Sequence, residues 1–267
     1  MSTQPLLSTS VVATLDDSCP LFQPGPPLRV QGPFTLRSNT EQSESLARPQ
    51  DLFNTQMLVG NKNVQEVTLL HELEQEFSEV IFKLTPVMKA KDAELYRHSL
   101  RVHSLALALA PMLKLPQDEV LTIGLAAFFH DIGKIGINNA ILKKASQLTH
   151  QEFEIVKRHP EYGAKMLSQF KILKNVIPSV YHHHEWWDGR GYPDGISGEA
   201  VPLGARIVAI VDAFDAMTSY RNYQNRRTPL QALEELCRCA GTQFDAELVR
   251  LFCNCLETTL VESIHER

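Results

Sequence analysis

From residue 64 to residue 256 the apolar residues of this chain return at intervals of three and four, and no stretch alternates with comparable strength. A 3.6-residue repeat lays an apolar stripe along a helix, whereas a half-buried strand needs a period of two. Val67, Leu70, Leu73, Phe77, Val80, Ile81 and Leu84 mark an amphipathic helix over 64–88. A broader stripe through Leu95, Leu100, Val102, Leu105, Ala106 and Leu109 marks a second over 93–113. Pro116, with Asp118 and Glu119 behind it, opens a third that runs through Phe129 and stops at Gly133. Thr149 with Glu152 three residues on is a capping box, and the helix it starts is predicted to reach Phe170. Pro178 heads another, and helices over 203–218, 229–239 and 244–256 follow. Between them, 188–202 breaks into Gly and Pro, the mark of a long ordered loop. The expected fold class is all-α, a helical bundle.

The rest of the chain bounds the function. Residues 1–60 hold seven of the fifteen prolines without any helical or strand period, which predicts a largely disordered tail over 1–62. The lead-in helix, 63–90, is suited to covering the core or to pairing with a second copy, so a homodimer or a signalling partner protein is the expected association. A net charge of -5 gives no broad basic surface, which argues against polymeric nucleic acid as a partner. No apolar run approaches the roughly 18–20 residues that span a bilayer. The amino terminus has no basic residues ahead of its apolar stretch and carries Asp16 and Asp17 after it, unlike a secretion signal. The expectation is a cytoplasmic protein off the membrane. Cys237 and Cys239, like Cys253 and Cys255, sit two apart in helical stretches and face different ways. Reduced thiols fit that spacing better than a zinc knuckle.

The polar residues that interrupt the apolar pattern are the informative ones. His130 and Asp131 end the helix through Phe129, and a buried carboxylate beside a buried imidazole is costly unless partnered. A divalent cation is one partner that serves both; alone, the pair fits a hydrogen-bonded core couple equally well. His183 and His184 are neighbours, His159 precedes Pro160, and Asp212 follows the apolar run 207–211. Glu94 and His98 are four apart and share one helix face. Imidazole and carboxylate donors without cysteine favour iron, manganese or similar metals.

Two motifs carry a resemblance. His130-Asp131-Ile132-Gly133-Lys134 matches HDxGK, and the run from His183-His184-Glu185 through Asp188-Gly189-Arg190-Gly191-Tyr192-Pro193 matches HHExxDGxGYP without a gap. With Asp212 and Gly241-Thr242-Gln243-Phe244-Asp245 in the expected order, the chain over 91–258 resembles the HD-GYP domain family, followed by a tail, 259–267. The resemblance implies an HD-type helical bundle with a metal site in its core, and a phosphodiesterase that opens cyclic di-GMP to pGpG, with either pGpG or GMP as the end product. It implies His98, His130, Asp131, His159, His183, His184 and Asp212 as ligands of two divalent ions, iron or manganese, with Glu94 adding a third ion. His130, Asp131 and Lys134 would be catalytic, and Lys134, Arg221, Tyr192 and Asp188 would meet the substrate. Trp186 and Trp187 are open to either stacking on guanine or simple packing. The family usually follows its later Asp with Arg-Pro-Tyr-Arg or Arg-Pro-Tyr-Lys, and here Arg221-Asn222-Tyr223-Gln224 loses the last charge, with Arg226 or Arg227 the nearest replacement. The alternative reading is a catalytically weak receptor for the cyclic dinucleotide, or an interaction module.

Overall fold

The computed structural model describes residues 64–219 and 227–265, and side chains within 75–256. The tail 1–62 and the segment Arg221, Asn222, Gln224 and Arg226 lie outside the described residues. The regular elements among the described residues are all helices, with no strand and only an isolated bridge between Ala240 and Phe244. The chain divides into two units inside the first helix, α1 (Val64–Lys91), with the break between Thr85 and Pro86. The unit that runs from Pro86 onward carries every candidate site residue.

Asp92 caps α2 (Ala93–Leu109) by accepting from the Glu94 N–H at 2.8 Å. Next comes α3 (Gln117–Phe129), buried without interruption from Ile123 to Phe129, as its unbroken apolar run requires. A short α4 (Asn139–Leu142) leads to α5 (His150–Val156), whose Thr149–Glu152 capping box forms as expected. The predicted helix through Phe170 is not continuous. It breaks at Lys157–Arg158 and restarts as α6 (His159–Leu167), with Pro160 in its first turn. Proline has no N–H to offer the Val156 carbonyl, and its ring clashes with a continuing helix, so the chain turns there.

Two further helices complete the frame, α7 (Ile177–His182) and α8 (Leu203–Thr218). The central helix α8 packs against α2, α3 and α7, and α6 packs against α7 and the turn after Asp131. Outside this core, α9 (Pro229–Arg238) lies on α8, and α10 (Ala246–His265) closes over α2, α8 and α9. The last helix runs past the boundary expected at 258, since residues 257–265 contain neither Gly nor Pro to stop it.

Candidate metal centre

The imidazoles are aimed by helix ends. A helix leaves its last carbonyls without an intrahelical partner. His130, which closes α3, donates Nδ1–H to the Ala127 carbonyl at 2.7 Å. His183 closes α7 and donates likewise to Val180 at 2.7 Å. His159 donates to Val156 at 2.8 Å, the carbonyl set free at the break before Pro160. In each case the acceptor assigns the proton to Nδ1 and leaves an Nε2 lone pair facing inward.

These lone pairs converge. The Nε2 atoms of His159 and His183 face each other at 3.2 Å, with the His184 ring 4.9 Å from that of His159. Two bare nitrogens at that distance repel each other, and a cation held between them relieves it. A second group joins His98 and His130, Nε2 to Nε2 at 3.2 Å, with Asp212 Oδ1 at 3.1 Å from His98 Nε2. Each set of three could hold a metal ion. Asp131 lies between them, with Oδ1 at 3.2 Å from His159 Nε2 and Oδ2 at 3.4 Å from His130 Nε2. One carboxylate therefore turns one oxygen toward each group. Lys134 Nζ donates to Asp131 Oδ2 at 2.6 Å.

The charges follow from burial and neighbours. Burial pushes the Asp131 carboxyl up, but the Lys134 ammonium and His130 outweigh it and hold it well below the usual carboxylate range. Asp212 is also lowered: burial opposes ionisation there, and the bond from His98 overcomes it. Burial keeps His183 neutral, its pKa well below the ordinary imidazole value, and lowers His184 to about 3. His98 goes the other way. Its burial is outweighed by Asp212 and Asp215, which raise it to about 9.

The HD domain family model matches residues 84–248, more than half of the chain and all of this centre. The chain belongs to the HD domain family. Its GYP run places it in the HD-GYP branch, and the family's divalent-metal chemistry fits the donors assembled here. A cyclic di-GMP phosphodiesterase of Pseudomonas aeruginosa, PA4108, is 40% identical over 166 residues, which is 62% of this chain and 40% of that protein. The cyclic di-GMP phosphodiesterase of Thermotoga maritima is 38% identical over 183 residues, 68% of this chain and 50% of that one. The chain thus spans half or less of the length of these curated relatives. Among solved structures, the HDG"Y"P protein Bd1817 from Bdellovibrio bacteriovorus superposes with a TM-score of 0.51 at 20% identity, over 61% of this chain and 52% of that one. That likeness is of fold.

The HD-GYP loop is built onto the centre by its backbone. Glu185 is buried, and its Oε1 accepts from the N–H groups of Asp194 at 2.6 Å and Gly195 at 3.0 Å. Gly191 passes so close to the chain that a Cβ would lie 2.3 Å from the Trp186 nitrogen, so only glycine fits. Tyr192 then donates its N–H to the His184 carbonyl and stacks its ring on the His184 imidazole, centroids 4.8 Å apart. Asp188 is directed to Arg190, whose Nε lies 2.8 Å from its Oδ2, and not to the metal groups. Trp186 and Trp187 part company. Trp187 packs, with its indole over Arg206, whose Nη1 bonds Asp245 at 2.7 Å, whereas Trp186 lines a cavity beside the metal groups.

Glu94 is the one expected ligand that the HD fold turns away. Its side chain is half exposed and bonds Arg97 Nε at 2.9 Å and Arg101 Nη2 at 3.1 Å. Arg101 in turn donates Nε–H to Asp215 Oδ1 at 2.7 Å, and Asp215 Oδ2 accepts Nδ1–H of His98 at 2.7 Å. Asp215 and Arg101 thus brace a metal-facing imidazole, a role that sequence reasoning did not assign. The signal was present in spacing: Asp215 is three residues after Asp212, and Arg101 three after His98, so each pair shares a helix face. Arg227 bonds Glu235 at 3.3 Å, in the wall of a cavity that His183, His184 and Asp212 also line. His103 is a core residue, bonded to the Gly124 carbonyl at 2.7 Å.

Proposed function

We propose that this chain is a metal-dependent phosphodiesterase that hydrolyses cyclic di-GMP to pGpG. The observation that carries the reading is Asp131, one carboxylate with an oxygen toward each of two donor groups. Two bound ions, when present, supply an activated water and neutralise the phosphate oxygens during displacement. Their ligands are His98, His130 and Asp212 on one side, His159, His183 and His184 on the other, and Asp131 between. Nitrogen and oxygen donors with no sulfur support iron or manganese. The engagement of Glu94 by Arg97 and Arg101 supports two ions over three.

The chain's own residues set the conditions for the chemistry. The i−3 carbonyl bonds hold three imidazole rings with Nε2 inward before any ligand arrives, so little reorganisation is needed. Lys134 keeps Asp131 ionised, and its 18% exposed side chain puts a positive charge at the rim, where a nonbridging phosphate oxygen would meet it. Tyr192 fixes the His184 ring by stacking. Arg221 is the second cation proposed for the phosphate. A receptor reading calls for a missing donor, and none of the seven is missing.

The test is anaerobic purification, quantification of bound metal, and chromatography of cyclic di-GMP turnover beside His130→Ala and Asp131→Ala. Turnover in the native protein and its loss in both variants is the expected result. Metal-replete native protein that leaves the dinucleotide intact would overturn the proposal.

A further inference from the structure

Beside the metal groups lies a cavity. His183, His184 and Asp212 form part of its wall. Trp186, Met217, Phe244, Gln243 and Glu235 form another part, mainly apolar and aromatic. In a dinucleotide a base hangs one ribose away from the phosphate it flanks. A phosphodiester seated against His183, His184 and Asp212 thus has this cavity open to one of its bases.

The wall suits a purine. Trp186 is half-buried, and the Arg190 guanidinium lies over its ring, 5.4 Å from the centroid, which steadies the indole as a platform. Gln243 is held by its backbone, donating N–H to Cys239 at 3.0 Å and accepting from Trp187 N–H at 3.1 Å. Its side-chain amide has no partner among the described residues, so a donor and an acceptor stand free in this wall. Glu235, the carboxylate in the same wall, is already bound by Arg238 at 2.8 Å and Arg227 at 3.3 Å. An amide pairs with the O6 and N1–H edge of guanine or with the N6 and N7 edge of adenine, so this group recognises a purine without choosing between them.

We infer that this cavity is a purine subsite, in which Trp186 stacks on the base and the Gln243 amide hydrogen-bonds its edge. The inference rests on the phosphodiesterase reading for the identity of the ligand, and its test is by binding, apart from turnover. Trp186 and Trp187 are the only two tryptophans, so in Trp187→Phe protein the indole emission reports Trp186 alone. The probe is a phosphorothioate analogue of cyclic di-GMP that resists hydrolysis, titrated into metal-loaded protein by calorimetry and by fluorescence.

Saturable quenching in Trp187→Phe, lost in Trp186→Phe, is expected. Trp186→Ala should weaken binding about 5- to 150-fold, the range for removing one base–aromatic stack. Trp186→Phe, which keeps a ring, should recover most of that affinity. Gln243→Leu should weaken binding by about 2- to 12-fold. Affinity that is unchanged in both Trp186→Ala and Gln243→Leu, or native protein that does not bind the analogue, overturns the subsite. Native protein that binds through Trp186 yet hydrolyses nothing supports the subsite and removes the phosphodiesterase reading instead.

Discussion

Replacing Gly133 by alanine should dismantle one half of the metal centre without unfolding the bundle. Gly133 lies in the turn after Asp131, where that turn crosses the head of α6. A methyl group there would fall 1.9 Å from the His159 carbonyl oxygen and 2.5 Å from the Gly163 nitrogen. Both are backbone atoms, so no rotamer relieves the clash. Non-bonded atoms need roughly 3.5 Å, so α6 must retreat by more than about 1 Å or the turn must unwind. Asp131 and His159 ride on the two sides of that contact, 3.2 Å apart, and would separate by a similar distance. Metal–ligand distances tolerate only about 0.2 Å, so His159 leaves its group.

Overpacking of this kind costs about 1–3 kcal/mol, which in a domain of this size lowers Tm by about 2–12 °C. Misplacing a reacting centre by about 1 Å costs on the order of 100-fold in rate. Calorimetry, circular dichroism, metal quantification and cyclic di-GMP turnover should then show a lower Tm, native helicity, loss of one ion and that fall in rate. Gly163→Ala is the comparison. Its methyl meets nothing nearer than Val180 Cγ1 at 3.2 Å, with Ile132 Cγ2 and the Gly133 backbone nitrogen at 3.4 Å, and should be far milder. Gly133→Ala protein with a full metal complement and a Tm within about 1 °C of native would refute the reasoning.

Three further outcomes follow from the same geometry. Asp215→Ala removes the brace on His98 and should weaken metal binding about 10- to 100-fold in a titration, with Asp215→Asn, which can still accept the Nδ1–H, in between. Proton competition should make the His98 group pH-dependent. With His98 at about 9 in the metal-free protein, an ion must displace its proton below that pH, so affinity there should rise about tenfold per pH unit up to 9. The group of His159, His183 and His184, whose imidazoles burial keeps neutral, should show no such slope near neutrality. The sign for folding is opposite. A raised His98 means that metal-free protein takes up a proton on folding, so this contribution is full below 6.5 and is lost as pH rises through about 9. Chelation should lower Tm and re-addition restore it, with an ion at 100 times its Kd contributing about 2.7 kcal/mol.

The helices were legible because their signals are local. The Thr149 and Glu152 cap and the apolar run of α8 ending at Asp212 each act within one or two turns, so reading the chain in order suffices. Pro160 was legible too, but its effect was underestimated: it ended one helix and freed the Val156 carbonyl that aims His159. The donors proposed as ligands could be picked out because two long motifs and an Asp after five apolar residues are rare combinations.

What each polar group faces was not legible, because facing depends on how separate helices pack. Glu94 has the spacing of a ligand to its neighbour His98, yet two arginines on its own helix capture it. Trp186 and Trp187 are adjacent in the chain, but the backbone bond from Trp187 to Gln243 turns one into the packing and the other to the cavity. Asp131 is a carboxylate at a helix end in the sequence. Only the packing of α6 against the turn after α3 gives its two oxygens two different neighbours, and only the meeting of α2 with α8, more than a hundred positions apart in the chain, brings His98 to Asp212 beside it. The sequence by itself determined the elements and the candidate donors; the packing of five helices decided which of them lie together.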